Sequence, residues 1–144
     1  MVVRLIKSQE ALELRQKVLR PDKTVENCTY PDDDSATTFH VGAVIEERIV
    51  GIATFLEESF SALPALRPFR LRGMATDVNF RKMNIGRAVL EFGIEELKRR
   101  QADLLWCNAR QVAFDFYEKL ELKYHGPLFD MKDIGPHKVM YKYF

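Results

Sequence analysis

Hydrophobic positions change their period along the chain, and each change marks an element. VVRLIK (2–7) reads as a first strand. Leu12, Leu14, Val18 and Leu19 then recur along a helix behind Ser8, a residue suited to an N-cap, until Pro21 stops it. PDKTVENCTYPDDDSA is polar and turn-rich, and its three successive aspartates read as a solvated loop. Alternation follows: Phe39, Val41, Ala43 and Ile45 share one face. Ile49, Gly51, Ala53 and Phe55 resume it beyond a charged reversal at 46–48, which predicts an antiparallel hairpin. SFSALPALRP reads as a loop. FRLRGMATD (69–77) reads as a strand, with Phe69, Leu71 and Ala75 on one side and Arg70, Arg72, Met74 and Thr76 on the other.

From Ile85 to about Arg100 the period becomes helical. Leu90, Ile94 and Leu97 form one stripe and Ile85, Val89 and Phe92 a second, while Arg87, Glu91, Glu95 and Lys98 stay on a solvent ridge. DLLWCN (103–108) is a short apolar run of the kind that parallel pairing buries. RQVAFDFYEKL predicts a further helix with Val112, Ala113, Phe116 and Leu120 inward, and LKYHGPLFD and HKVMYKYF predict two closing strands. The run 69–77, 85–100, 103–108 is strand, helix crossover, strand: a right-handed βαβ unit within a mixed sheet. No repeat or linker divides the chain, so one domain over 1–144 is expected.

Composition narrows the picture little. A chain of 144 residues can bury a core without covalent staples. Its 22 basic and 21 acidic side chains nearly cancel, so any electrostatic signal must be local. Cys28 and Cys107 follow neither disulfide nor metal spacing and read as free thiols in a reducing compartment. The N-terminus is too charged for a signal peptide, and no segment approaches a membrane span. The expectation is a cytoplasmic protein with no metal, no membrane contact and no nucleic-acid partner.

The local signal lies in the 67–87 window, where Arg67, Arg70, Arg72, Arg81, Lys82 and Arg87 face one acid, Asp77. Arginines on an edge strand can be mere solvated surface. The helix mouth is more specific. Arg81 and Lys82 precede the residues whose backbone N–H groups lack helical partners, Gly86 admits a ligand against the backbone, and Asn84 tolerates a left-handed conformation. GxxxxGK[ST] is absent, as is the three-glycine dinucleotide fingerprint. What remains is a phosphate-bearing cofactor held mainly by main chain.

LRGMATDVNFRKMNIGRAVLEFGIEEL followed by LLWCNARQVAFDFYEKL resembles the GNAT superfamily of N-acetyltransferases, which use acetyl-coenzyme A. The family loop, [Q/R]xxGx[G/A], is matched by Arg81-x-x-Asn84-x-Gly86. The strand-ending asparagine is matched by Asn108, and the tyrosine of FYEKLGF by Tyr117 in FYEKLEL. The order of elements agrees over essentially the whole chain. Two departures stand out. Asn84 replaces a glycine of the loop, and Glu121 replaces the glycine after the helix, which predicts an end without a left-handed cap.

The resemblance implies an α/β fold: a central, mostly antiparallel mixed sheet with helices on both faces and one parallel βαβ unit. It implies acetyl-CoA as acetyl donor, gripped by the backbone of Arg81, Lys82, Met83, Asn84, Ile85, Gly86 and Arg87. Met74, Ala75 and Thr76 would pair with its arm and polarise its carbonyl, Asn108 would add a hydrogen bond, and Tyr117 would protonate the leaving thiolate. From the residues alone, Tyr117 reads first as a buried structural side chain, its catalytic role coming only from the resemblance, and Gly73 reads equally as a bulge or as packing relief. The amine's proton would pass to His40, Glu57, Glu58 or His137, or to a water chain. No acyl-enzyme on Cys107 is expected. The acceptor would be a small-molecule or peptide amine, lodged among the first helix, the 20–35 loop, CTYPDDD and DIGPH (133–137), where acids 32–34 would suit a cation. Binding of acetyl-CoA without turnover is the rival reading, and a homodimer stays open.

Overall fold

The computed structural model describes Met1–Phe144 throughout. Seven strands form one sheet: β1 (Val2–Ile6), β2 (Phe39–Ile45), β3 (Arg48–Glu57), β4 (Pro68–Thr76), β5 (Leu104–Arg110), β6 (Lys123–Met131) and β7 (Gly135–Tyr143). Their spatial order is β1-β2-β3-β4-β5-β7-β6, and every pairing is antiparallel except β4–β5. Helix α2 (Ile85–Arg99) is the crossover that parallel neighbours require. Helices α1 (Ser8–Leu14) and α3 (Phe114–Lys119) complete the fold, and the mixed sheet expected above is found. Strand β4 is central, however, so Arg70 and Arg72 are half-buried instead of lying on a solvated edge.

Two faces of the sheet carry separate cores. On one, Val89, Leu90, Ile94 and Leu97 of α2, Tyr117 of α3 and the Leu120 that follows it pack on Phe39, Val41, Phe55, Phe69, Leu71 and Met140. On the other, Ala11 and Leu14 of α1 pack on Ile6, Ile52 and Ala75. Beyond them on that second face, Leu104, Trp106 and Val139 gather under Leu63. Alternate β3 residues split between the two cores, as strand geometry demands.

Local irregularities decide which side chain faces which core. Glu46 and Glu47 take φ of 49° and 66° and close the β2–β3 hairpin in two residues. A register shift then makes Val50 an extra residue, so Ile49 leaves the predicted face and packs on the α1 side. The same occurs in β4, where Gly73, at φ 62°, and Met74 oppose Ala53. Gly73 is thus a bulge, and it reverses the predicted faces of Met74 and Ala75.

Helix ends bring three further corrections. Lys7, not Ser8, is the N-cap of α1, and the Ser8 hydroxyl donates to Asp34 at 2.6 Å. After Leu14 the helix widens into a turn closed by Arg20 N–H to Arg15 C=O (3.1 Å), which buries Arg15. Val112 is exposed, because residues 111–113 form a 3₁₀ turn that shifts the phase before α3 begins. Glu121 does supply a left-handed cap, at φ 69°. Leu122 N–H reaches Tyr117 C=O (3.1 Å) and Glu121 N–H reaches Glu118 C=O (2.9 Å), the paired bonds of a Schellman ending.

Candidate active site

The parallel strands β4 and β5 pair only at Pro68–Arg70 and Leu104–Trp106. Asp103 pins this junction by accepting Leu66 and Arg67 N–H, each at 2.8 Å. Beyond it the strands diverge. The Gly73 bulge turns β4 away, and a cavity of about 790 Å³ opens where ladder hydrogen bonds would otherwise run. Its lining comes from both faces of the sheet: α2 and α3 on one, Val18, Leu19 and Tyr30 on the other.

On the α2 side the loop before the helix follows an unusual path, with Lys82 at φ 66° and Asn84 at φ 57°. Asn84 therefore keeps the curve that its sequence position predicts. The first helical bond is Ala88 N–H to Asn84 C=O (3.0 Å), and no side chain caps the end. The backbone N–H groups of residues 81–87 consequently have no partner in the protein. Gly86 is conspicuous for lacking an internal reason to be glycine. A Cβ there would meet Phe116 at 3.5 Å, ordinary contact, whereas at Gly93 it would lie 2.1 Å from Phe55. Arg87 leans on Glu91 at 2.5 Å, while Arg81 and Lys82 form no ion pair.

Most of the predicted residues converge on the cavity: Met74, Ala75, Thr76, Arg81, Lys82, Asn84, Ile85, Gly86, Arg87, Asn108 and Tyr117 all line it. Met83 does not, and its side chain is exposed. Tyr117 is buried, with its ring against Phe116 and its hydroxyl 3.9 Å from Met74 Sδ. Burial, and then the proximity of Cys107, push its phenol well above the usual value, so it stays protonated. Cys107 is itself pushed up to about 12 by burial, which leaves a thiol without nucleophilic character.

Of the four side chains considered as a base, three lie off the cavity. His40 is locked on both nitrogens, receiving the Thr54 hydroxyl at Nδ1 (2.8 Å) and donating from Nε2 to Asp33 C=O (2.9 Å). Glu57 and Glu58 pair with Arg67 (3.9 Å) and Arg70 (3.3 Å). His137 lines the cavity, and its Nδ1 lies 2.8 Å from Gly135 C=O. A carbonyl only accepts, so Nδ1 carries the hydrogen and Nε2 keeps its lone pair free of any protein partner.

The expected acidic lining of the other side is absent. Asp33 is buried in a bidentate pair with Arg15 (2.7 and 2.9 Å), Asp34 holds Ser8, and none of residues 32–34 reaches the cavity. Burial raises the Asp33 carboxyl, but Arg15 and the Tyr30 N–H outweigh it and hold the group below its usual value. Tyr30, Arg70 and Arg72 stand there instead. Tyr30 belongs to the CTYPDDD stretch expected to line this side, although the sequence singled out its acids and not its ring. In the structure that ring lies against Gly73, where a Cβ would approach it to 3.0 Å.

The sequence profile of the Acetyltransferase (GNAT) family matches residues 7–121. The chain is 34% identical over 140 residues to the uncharacterized N-acetyltransferase YitI of Bacillus subtilis (strain 168), covering 97% of this chain and 94% of that protein. Its fold superposes on an aminoglycoside 6'-N-acetyltransferase complexed with coenzyme A with a TM-score of 0.78 at 14% identity, over 99% and 97% of the two chains. Against Escherichia coli ElaA the TM-score is 0.77 at 17% identity, over 98% of each chain. With a diverging pair of parallel strands, a helix mouth of free amides and a profile match across most of its length, the chain belongs to the GNAT family of acetyltransferases and is an acyltransferase.

Proposed function

We propose that the protein moves an acetyl group from acetyl-CoA directly to a primary amine of a small molecule or peptide. The observation that carries this reading is the run of unpartnered amides at residues 81–87, opening onto a cavity that also holds a buried, protonated Tyr117. Free amides at the positive end of a helix, with Arg81 and Lys82 unpaired beside them, suit a diphosphate. Gly86 fits the same guest, since a Cβ there would make only ordinary contacts with Phe116 and Met74 and internal packing does not require the glycine. Ala75 and Thr76 stay paired with Ile52 and Gly51 of β3, but the edge of Met74–Thr76 that faces the diverged β5 has no strand partner, so its main-chain groups can pair with the pantetheine arm as an added strand. Asn108, at the diverging end of β5, offers one further hydrogen bond.

Once the thioester is bound, the reaction needs a deprotonated amine, a polarised carbonyl and a proton for the departing sulfur. The amine's lone pair forms the new C–N bond as the C–S bond breaks. In this reading His137 Nε2 takes the amine proton, directly or through water, and the Tyr117 hydroxyl gives its proton to the thiolate. A phenol held above its usual value carries its proton when the sulfur departs, and the phenolate left by donation, a stronger base than the thiolate, regains a proton from solvent.

The test combines binding and turnover. Acetyl-CoA at millimolar concentration should raise the melting temperature, and free thiol should appear with a subset of an amine panel. Gly86→Asp should abolish the thermal shift by setting a carboxylate against the diphosphate. The fold should survive, because a Cβ fits there and an acid suits the first turn of a helix. Acetyl-CoA binding that persists in this variant would remove the loop from the donor site, and thermal stabilisation without thiol release from any amine would leave binding alone.

A further inference from the structure

The cavity is lined by cations and by no aspartate or glutamate. On the α2 side that charge suits the donor's phosphates. The α1 side has no such explanation, because the arm and thioester that would pass through the sheet are uncharged. Yet Arg70 and Arg72 both stand there, on the face of β4 opposite Phe69 and Leu71.

Their partners account for only part of this charge. Arg15 and Arg72 each place Cζ 3.9 Å from the centre of the Tyr30 ring. Two planar guanidiniums that close to one centroid must occupy opposite faces, so the ring is sandwiched between cations. Arg15 is neutralised by Asp33, and its second amino group also reaches Thr54 at 2.8 Å. Arg70 has Glu58 at 3.3 Å on one nitrogen, stacks over Trp106 at 5.2 Å, and keeps a buried Nε with no acceptor. Arg72 has no hydrogen bond and no ion pair beyond its contact with Tyr30. Burial, and then Arg70, draw its guanidinium below the usual value, the mark of a cation short of an anion.

Resting on the acetyl-transfer reading above, the geometry points to an acceptor that is itself anionic: an amine carrying a carboxylate, paired with Arg72 and Arg70. The guanidinium fork matches a planar carboxylate in two parallel hydrogen bonds. Arg72 precedes the bulge at Gly73 and Met74, beside which the donor's carbonyl would lie. Strand residues advance roughly 3.3 Å each. The anion and the nucleophilic nitrogen are therefore a few bonds apart, as in an amino acid. Polycationic amines would meet repulsion at the same place.

Thiol release at saturating acetyl-CoA decides the matter, using matched acceptors: a set of amino acids, the corresponding carboxamides, aminoalkyl phosphates with their amino alcohols, and spermidine. Each acid should exceed its carboxamide by roughly tenfold or more in kcat/KM, the scale of a charge-assisted pair, with spermidine the poorest. In Arg72→Gln the acid-to-amide ratio should collapse towards one through KM for the acid, and Arg72→Lys should restore part of it. KM for acetyl-CoA should hold in both variants. A merely structural Arg72 would change the melting temperature without moving the ratio. The proposal is overturned if the wild type favours carboxamides, amino alcohols or spermidine, if phosphates outrun carboxylates, if the ratio survives Arg72→Gln, or if no acid is acetylated while other amines are. A protein that acetylates nothing and gains no stability from acetyl-CoA would instead strike the parent reading, and this one with it.

Discussion

The acid role proposed for Tyr117 rests on its burial. The same apolar shell of Phe116 and Met74 that would make it an ordinary core residue raises its phenol and keeps its proton in place at every physiological pH. Tyr117→Phe removes only that hydroxyl. Thiol release should slow by at least about tenfold, general acids being worth roughly 10²–10⁴, while KM for acetyl-CoA stays where it was. An unchanged kcat would assign the proton to water. The neighbouring Cys107 shows the opposite outcome of the same burial: a nucleophile by residue type that its surroundings make inert.

At the scale of elements, two left-handed residues do work that glycine does elsewhere. Asn84 turns the loop into α2 at φ 57°, a role open to asparagine because its short polar side chain tolerates that region. Glu121 closes α3 at φ 69° with no such dispensation. Its side chain lies 3.3 Å from Lys142, an exposed pair that contributes little. Glu121→Gly should therefore stabilise the protein by about 1 kcal/mol, read as a rise of a few degrees in melting temperature. A fall would mean that the Lys142 contact outweighs backbone strain.

For the molecule as a whole, buried ionisable groups predict a plateau of stability with two edges. Asp33, Asp77, Glu96 and Asp103 all sit below their usual values: Asp33 and Glu96 because arginine contacts overcome burial, Asp77 and Asp103 chiefly through backbone N–H donors. Below the ordinary carboxylate range the unfolded chain binds protons that the folded one refuses, so their contribution is complete above about pH 4.5 and fades as pH falls. Tyr117 and Cys107 are raised by burial, so above roughly pH 8.5 the unfolded chain loses protons that the folded one retains. Stability then declines again. Melting temperature measured from pH 3 to pH 10 should be flat between those bounds and fall outside them, and a steady slope through neutrality would contradict this account.

The order of elements, the βαβ unit, the curve at Asn84 and most of the residues that line the cavity on its α2 side were legible in the sequence, because strand and helix periods and loop stereochemistry are local properties of neighbouring residues. Only the tertiary structure decided the rest. One inserted residue at Val50 or Gly73 exchanges the faces of a strand, and no local pattern counts it until the partner strand sets the register. Asp33 looked solvated until a helix 18 residues away supplied Arg15. Arg72 looked like surface until β4 proved central, its charge facing a cavity with no acid to meet it. Charge in a sequence is a sum; charge in a site depends on which groups the fold brings within a few ångströms.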